Sequence, residues 1–280
     1  MLQSSFFNAK FNWCYHTNRI VKKVNSDILI FGSSKASHHY VPSILSDSLK
    51  CSVYNCGMYG KCIYYHYGLL MLIKERYLPK AILLDVTNSD IYDDRLFTID
   101  GVKDLAPYYG VSKDLDTLIN KISPFEKFKM LSMLYRYNSR IIDICRDNFR
   151  KTDQNWENGY MPLSGYIQSE KNTMTIQEEN NIEQDRVLYI EKFILFCKQN
   201  NVKIFICISP VNFMCENNNT YITVANIAAK HDVPFLNHYC DTYFSENNIF
   251  FKDVTHLNRE GAVIYSSLIG EEIRNMFECQ

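Results

Sequence analysis

Two segments far apart in the chain carry the residue types of a nucleophilic active site: Gly32-Ser33-Ser34 near the start and Asp253-Val254-Thr255-His256-Leu257-Asn258 near the end. A serine hydroxyl attacks a carbonyl only when a base removes its proton. An imidazole does this best when a carboxylate fixes its tautomer and stabilises the cation that forms. Asp253 and His256 supply both groups three residues apart, a spacing that a turn or short irregular stretch brings together. The chemistry these types point to is acyl transfer through an acyl-serine. Their separation along the chain is no obstacle, because such sets are assembled by the fold in several chain orders.

The elements that must position them are legible as alternating strands and helices. Ile28-Leu29-Ile30-Phe31 is a short apolar run that stops at Gly32 and reads as a buried strand over 27–32 feeding a tight turn. In open α/β sheets ligands bind beyond the carboxyl ends of strands, which puts Ser34 where substrates dock, at the start of the next helix. Further strands are predicted at 51–55, 81–86, 202–208 and 234–237, with helices at 39–49, 62–77, 183–200, 219–230 and 259–277. This order predicts an α/β fold, a three-layer α/β/α sandwich around a central parallel sheet. Residues 1–26 read as an N-terminal extension and 27–280 as the α/β domain. Within it, 92–180 reads as a largely helical insertion near the active site, with helices near 113–121 and 125–149. Its Tyr108, Tyr109, Tyr135, Tyr137, Trp156, Tyr160 and Tyr166 either build a sugar platform or hold a small helical cap together.

These blocks resemble the SGNH/GDSL hydrolases, whose first block is Gly-Asp-Ser after a strand and whose last is Asp-x-x-His before the C-terminal helix. Here Gly32-Ser33-Ser34 stands for the first, which puts the family's nucleophile at Ser34. Asn55-Cys56-Gly57-Met58-Tyr59-Gly60 is similar to the second block, with Gly60, or less readily Gly57, as the oxyanion glycine. Leu83-Leu84-Asp85-Val86-Thr87-Asn88 stands where the family has strand-Gly-x-Asn-Asp. Asn88 falls one position early and lacks the glycines. The resemblance implies a flavodoxin-like sandwich, Ser34, His256 and Asp253 as the triad, and Ser34, Gly60 and Asn88 as the oxyanion hole. It implies no cofactor and no metal. Phe31 to Ala36 followed by His38-His39-Tyr40 also resembles a bacterial branch associated with acyl groups on surface polysaccharides, which implies an acylated carbohydrate as substrate. Esterase and O-acyltransferase use the same triad, and a non-catalytic scaffold keeping the fold is the third reading.

Each residue also has a plainer role. Ser34 would cap the helix it begins, with Ser33 as the adjacent competitor for the nucleophile, and Gly60 would serve a turn. Asn88 would end a strand, Lys35 would be an exposed lysine, and His38 and His39 would pack at the helix start or touch substrate.

Composition narrows the classes. The 280 residues are 46% hydrophobic and 22% charged, enough for a full core. A net charge of −1 with no long block of one sign lacks the electrostatic footprint of a nucleic-acid binder. No run reaches the ~20 apolar residues of a membrane span, and Met1 to Lys10 lacks a signal-peptide apolar stretch. As written, the chain reads as cytoplasmic; relatives in the polysaccharide branch carry an anchor ahead of the first strand, so a differently started chain would be extracytoplasmic. The ten cysteines are scattered, without paired metal spacing, and read as mostly small buried hydrophobes in a reducing compartment.

Overall fold

The computed structural model describes residues 2–10, 12–92, 98–138, 141–142, 144–145, 156–168, 181–213 and 221–277. The helices, in chain order, are α1 (Leu2–Phe7), α2 (Asn12–Lys22), α3 (Ser34–His39), α4 (Pro42–Leu49), α5 (Ile63–Ile73), α6 (Lys113–Asn120), α7 (Glu126–Lys129), α8 (Met133–Asn138), α9 (Gln184–Gln199), α10 (Ile222–Lys230), α11 (Thr242–Ser245) and α12 (Arg259–Arg274). The strands are β1 (Ile28–Gly32), β2 (Val53–Asn55), β3 (Ala81–Asp85), β4 (Lys203–Ile208) and β5 (Phe235–Asn237). The chain divides into two compact units.

One unit comprises 26–60, 79–93 and 155–280. Its five strands are all parallel, in the order β2-β1-β3-β4-β5. β1 and β3 are buried at every position, as parallel strands covered on both faces must be. Ile28, Ile30, Ala81, Leu83, Phe205 and Cys207 face one way, into a core with Ala36, Leu45, Tyr265 and Ile269 of α3, α4 and α12. Phe31, one residue out of phase, meets Phe193 of α9 edge-on at 5.4 Å. Period-two alternation therefore puts helices on both faces of the sheet. In this strand order the switch point lies between β1 and β3, where the connections leave in opposite directions and open a crevice at the strand ends. Gly32 closes β1 at φ +146°, and a Cβ there would lie 2.6 Å from the Asp85 carbonyl oxygen, so only glycine fits.

The helix expected over 39–49 begins only at Pro42. Pro42 begins α4 and holds Val41 extended at φ −94° and ψ 108°, because its ring disfavours helical geometry in the residue before it. α3 thereby becomes a separate short helix carrying Ser34 at its start.

The other unit comprises 1–25, 61–78 and 94–154. The stretch read as one insertion is thus shared, with 94–154 here and 155–180 assigned to the sheet unit. Phe6 meets the rings of Tyr108 and Tyr137 edge-on at 5.8 and 5.7 Å. Asn18 links them, donating to the Phe6 carbonyl at 2.6 Å and accepting from the Tyr108 hydroxyl at 2.5 Å. Tyr108 and Tyr137, and Tyr160 in the sheet unit, are therefore core rings rather than parts of a sugar platform. The helix expected over 125–149 is interrupted between α7 and α8, and its remainder lies largely outside the described residues.

Among the described residues no helix is long and apolar enough to cross a membrane. Cys14, Cys56, Cys62, Cys197 and Cys207 are buried thiols, but Cys51 and Cys240 are disulfide-bonded.

Candidate active site

β1 ends at Gly32, and α3 starts two residues later with Ser34 half-buried at its first position. Ser33 takes the N-cap position, so Ser34 is not the capping residue. At the other end of the chain, residues 250–258 fold into a tight loop before α12. Asn258 caps that helix by accepting from the Gly261 N–H at 3.0 Å, while its amide donates to the Ile249 and Gly165 carbonyls at 2.6 and 3.0 Å. The loop sets His256 between two partners. Its Nδ1 donates to Asp253, with both carboxylate oxygens at 3.0 Å, and its Nε2 accepts from the Ser34 hydroxyl at 2.8 Å.

The Asp253 carboxylate is organised by its own turn. Its Oδ1 accepts from the Thr255 N–H and hydroxyl, both at 2.9 Å, and from the His256 N–H at 3.0 Å. Burial would raise its pKa, but the hydrogen bonds from His256 and Thr255 outweigh burial and hold the carboxyl well below the ordinary range. It is thus ionised at neutral pH, which keeps the His256 proton on Nδ1 and leaves the Nε2 lone pair facing Ser34.

The helix carrying Ser34 and the loop carrying His256 are pinned together by His39. Its Nε2 accepts from the Leu257 N–H at 3.0 Å in a buried contact, so the imidazole is neutral there. Burial drives its pKa well down, helped by the Lys35 charge. His39→Leu leaves the Leu257 N–H without an acceptor, at about 1–3 kcal/mol, and frees the backbone that aims His256. We expect kcat about tenfold or more lower at little-changed KM, with His39→Gln, which keeps an acceptor, recovering part of the loss. Steady-state kinetics on the three proteins checks this; an unchanged kcat in folded His39→Leu would remove the role. His38, on the same turn, donates from Nδ1 to the Met161 carbonyl at 2.7 Å and meets the His256 ring edge-on at 5.4 Å.

β2 and β3 flank β1, and the loops after them carry the two remaining candidates. Asn55 at the end of β2 donates to the Ala36 and Tyr40 carbonyls at 2.7 and 3.0 Å and accepts from the Gly57 N–H at 2.9 Å. The Gly57 N–H is therefore occupied. Gly60 follows in a turn at φ +69°. Asn88 opens a one-turn 3-10 helix capped reciprocally by Thr87 and Asp90. Arg186 of α9 anchors that turn by donating to the Ser89 carbonyl. The Asn88 amide lies against the Tyr239 hydroxyl, and its Oδ1 is buried without a hydrogen-bond partner.

Two features were not foreseen from the sequence. Lys35, expected to be exposed, is only 6% exposed; its ammonium donates to the Ser209 carbonyl at 2.6 Å and lies 5.6 Å above the Tyr239 ring. Burial pushes its pKa down to about 8 against the opposing pull of Asp85. Asp85, wholly buried, accepts from the Tyr40 hydroxyl and Ser209 N–H at 3.0 and 2.9 Å on one oxygen and from the Ser209 hydroxyl at 3.1 Å on the other. The second feature is the stretch 156–168, whose sequence shows no periodicity. It runs along the site with the Met161 N–H donating to the Ser37 carbonyl, the Leu163 carbonyl accepting from the Arg259 N–H, and the Ile167 N–H donating to the Phe251 carbonyl.

The five-stranded parallel sheet with helices on both faces is the three-layer α/β/α sandwich expected from the sequence. No protein-family model and no curated protein sequence matches the chain. Among solved structures, the chain is similar to a lipase/acylhydrolase from Enterococcus faecalis, with 12% identity, a TM-score of 0.41, and 90% of this chain and 97% of that one covered. It is also similar to an acetyl xylan esterase, with 12% identity, a TM-score of 0.43, and 89% and 98% of the two chains covered.

Proposed function

We propose that the protein is a serine-dependent ester hydrolase that acts on an acylated carbohydrate. The 2.8 Å hydrogen bond from Ser34 to His256 supports this reading, because it joins a nucleophile to a base that Asp253 already orients. His256 Nε2 takes the Ser34 proton as Oγ attacks the ester carbonyl. The tetrahedral oxyanion is held by the N–H groups of Ser34 and Gly60 and by Asn88, each donor lowering the barrier by about 3 kcal/mol. His256 then gives its proton to the departing sugar oxygen, leaving acyl-Ser34. A water loses a proton to His256 and attacks the acyl carbon, and His256 returns that proton to Ser34 Oγ as the acyl–serine bond breaks and the carboxylic acid leaves. A scaffold has no use for the bond between Ser34 and His256, which favours catalysis over that reading. With a sugar hydroxyl in place of water, the same steps make an O-acyltransferase.

The carbohydrate part of the reading is supported by two exposed tyrosines of the sheet unit, Tyr59 beside Gly60 and Tyr166 beside Gly165. Aromatic faces of this kind combine apolar area with a polar tip and suit a sugar ring. The test is turnover of an acetylated oligosaccharide against a small aryl acetate, with free acetate measured in the presence and absence of added sugar acceptor. The expected outcome is acetate release from both substrates. In the Tyr59→Ala/Tyr166→Ala variant, KM should rise about fivefold to tenfold for the oligosaccharide and stay unchanged for the aryl ester. Equal effects on both substrates would contradict the sugar contact, and acetyl transfer to the acceptor without acetate release would make the enzyme a transferase.

A further inference from the structure

In the unit formed by 1–25, 61–78 and 94–154, a row of apolar side chains stands in water. Phe125, Phe128, Leu131 and Leu134 recur every third residue and are 62–75% exposed. Phe125, Phe128 and Leu131 lie on one side of the turn around α7, where the Phe128 N–H donates to the Phe125 carbonyl and the Leu131 N–H to the Phe128 carbonyl, and Leu134 follows in α8. The opposite face is firmly anchored. Glu126 is 1% exposed and accepts from Lys129 at 3.0 Å and from the Tyr135 hydroxyl at 3.1 Å. Met130 and Tyr137 are buried as well. The row is therefore held outward by its own anchors rather than left loose at a fraying end.

Charge decides what such a face meets. Residues 121–138 contain Lys121, Lys127, Lys129 and Arg136 against one acid, the buried Glu126. A contact with a second copy of the chain would set these cations against their own copies, which like-charge repulsion opposes. An apolar row interleaved with cations of one sign suits an interface that is apolar below and anionic above. We propose that this face docks on an anionic lipid surface, with Phe125, Phe128, Leu131 and Leu134 entering the acyl boundary and Lys127 among the headgroup phosphates. This docking is independent of the chemistry at Ser34.

Co-sedimentation of the full chain with vesicles tests it. The protein should pellet with phosphatidylcholine–phosphatidylglycerol vesicles and stay in solution with phosphatidylcholine alone, and added salt should weaken the binding. Phe125→Ser/Phe128→Ser/Leu131→Ser should lower the partition coefficient about tenfold or more with an unchanged melting temperature. Lys127→Glu, a change confined to an exposed side chain, should lower it several-fold and tests the charge without touching the apolar row. Wild type that stays in solution with the anionic vesicles overturns the proposal, as does equal partition of wild type and both variants. Two other results also overturn it when vesicle binding is absent: a dimer by light scattering that the triple variant abolishes, which makes the face a self-contact, or retention on immobilised polyglutamate, which makes the partner an acidic protein.

Discussion

Ser34→Ala is expected to lower ester turnover by about four orders of magnitude or more, with His256→Ala close to it and the double variant no worse than either. The reason is that the two side chains act as one unit. The hydroxyl is a weak nucleophile unless Nε2, 2.8 Å away, accepts its proton, and the imidazole has nothing to activate once the hydroxyl is gone. Removing Asp253 should cost less, because Ser34 and His256 keep their contact and lose only the carboxylate that fixes the tautomer. Stability should hardly change in Ser34→Ala, since the side chain is small and half-buried, and urea midpoints should agree within about 0.5 kcal/mol. Turnover and urea unfolding measured on the same preparations separate the two effects. Residual activity within tenfold of wild type would mean that another group attacks the ester.

Asp85→Ala should destabilise the fold by about 3–5 kcal/mol. Three donors, from Tyr40, the Ser209 backbone and the Ser209 hydroxyl, converge on this fully buried carboxylate, and the buried ammonium of Lys35 draws on its charge. Deleting the acid strands the donors and leaves Lys35 uncompensated, and each unsatisfied group carries its own desolvation cost. Asp85→Asn keeps acceptor capacity but loses the charge, so its loss should fall between wild type and Asp85→Ala. Equilibrium urea unfolding reads both differences directly. A loss below about 1 kcal/mol for Asp85→Ala would mean that water enters and replaces the carboxylate. The same network ties β3 and β4 to the helix that starts at Ser34, so loss of Asp85 should also loosen the nucleophile.

The sheet was legible because its strands are nearly unbroken apolar runs punctuated by Gly32, Pro79 and Pro210, and period and punctuation are local properties. Ser34, Asp253 and His256 were legible for another reason. Their types are those an acyl-serine mechanism calls for, and the turn that closes Asp253 onto His256 is again local. What escaped depends on residues far away in sequence. The burial of Lys35 needs the carbonyl of Ser209 and the carboxylate of Asp85, which come from two other strand ends. One signal did exist: Asp85 closes the run Ala81-Ile82-Leu83-Leu84, and an acid ending a strand that is buried on both faces must have partners. His39 gave no comparable sign, because its acceptor role exists only once Leu257 is beside it. The stretch 156–168 has no periodicity to read, since beyond the Glu157–Tyr160 bridge its backbone bonds to Ser37, Phe251 and Arg259 in other segments. The disulfides at Cys51 and Cys240 were hidden because scattered cysteines do not announce their pairing.

The central claim is that Ser34 is a nucleophile activated by His256. The most direct measurement is intact-mass spectrometry of the folded wild type after treatment with a fluorophosphonate, followed by peptide mapping. One stoichiometric adduct is expected on Ser34, absent in Ser34→Ala and formed far more slowly in His256→Ala. No adduct on folded wild type, or an adduct on Ser33 or another residue, would contradict it.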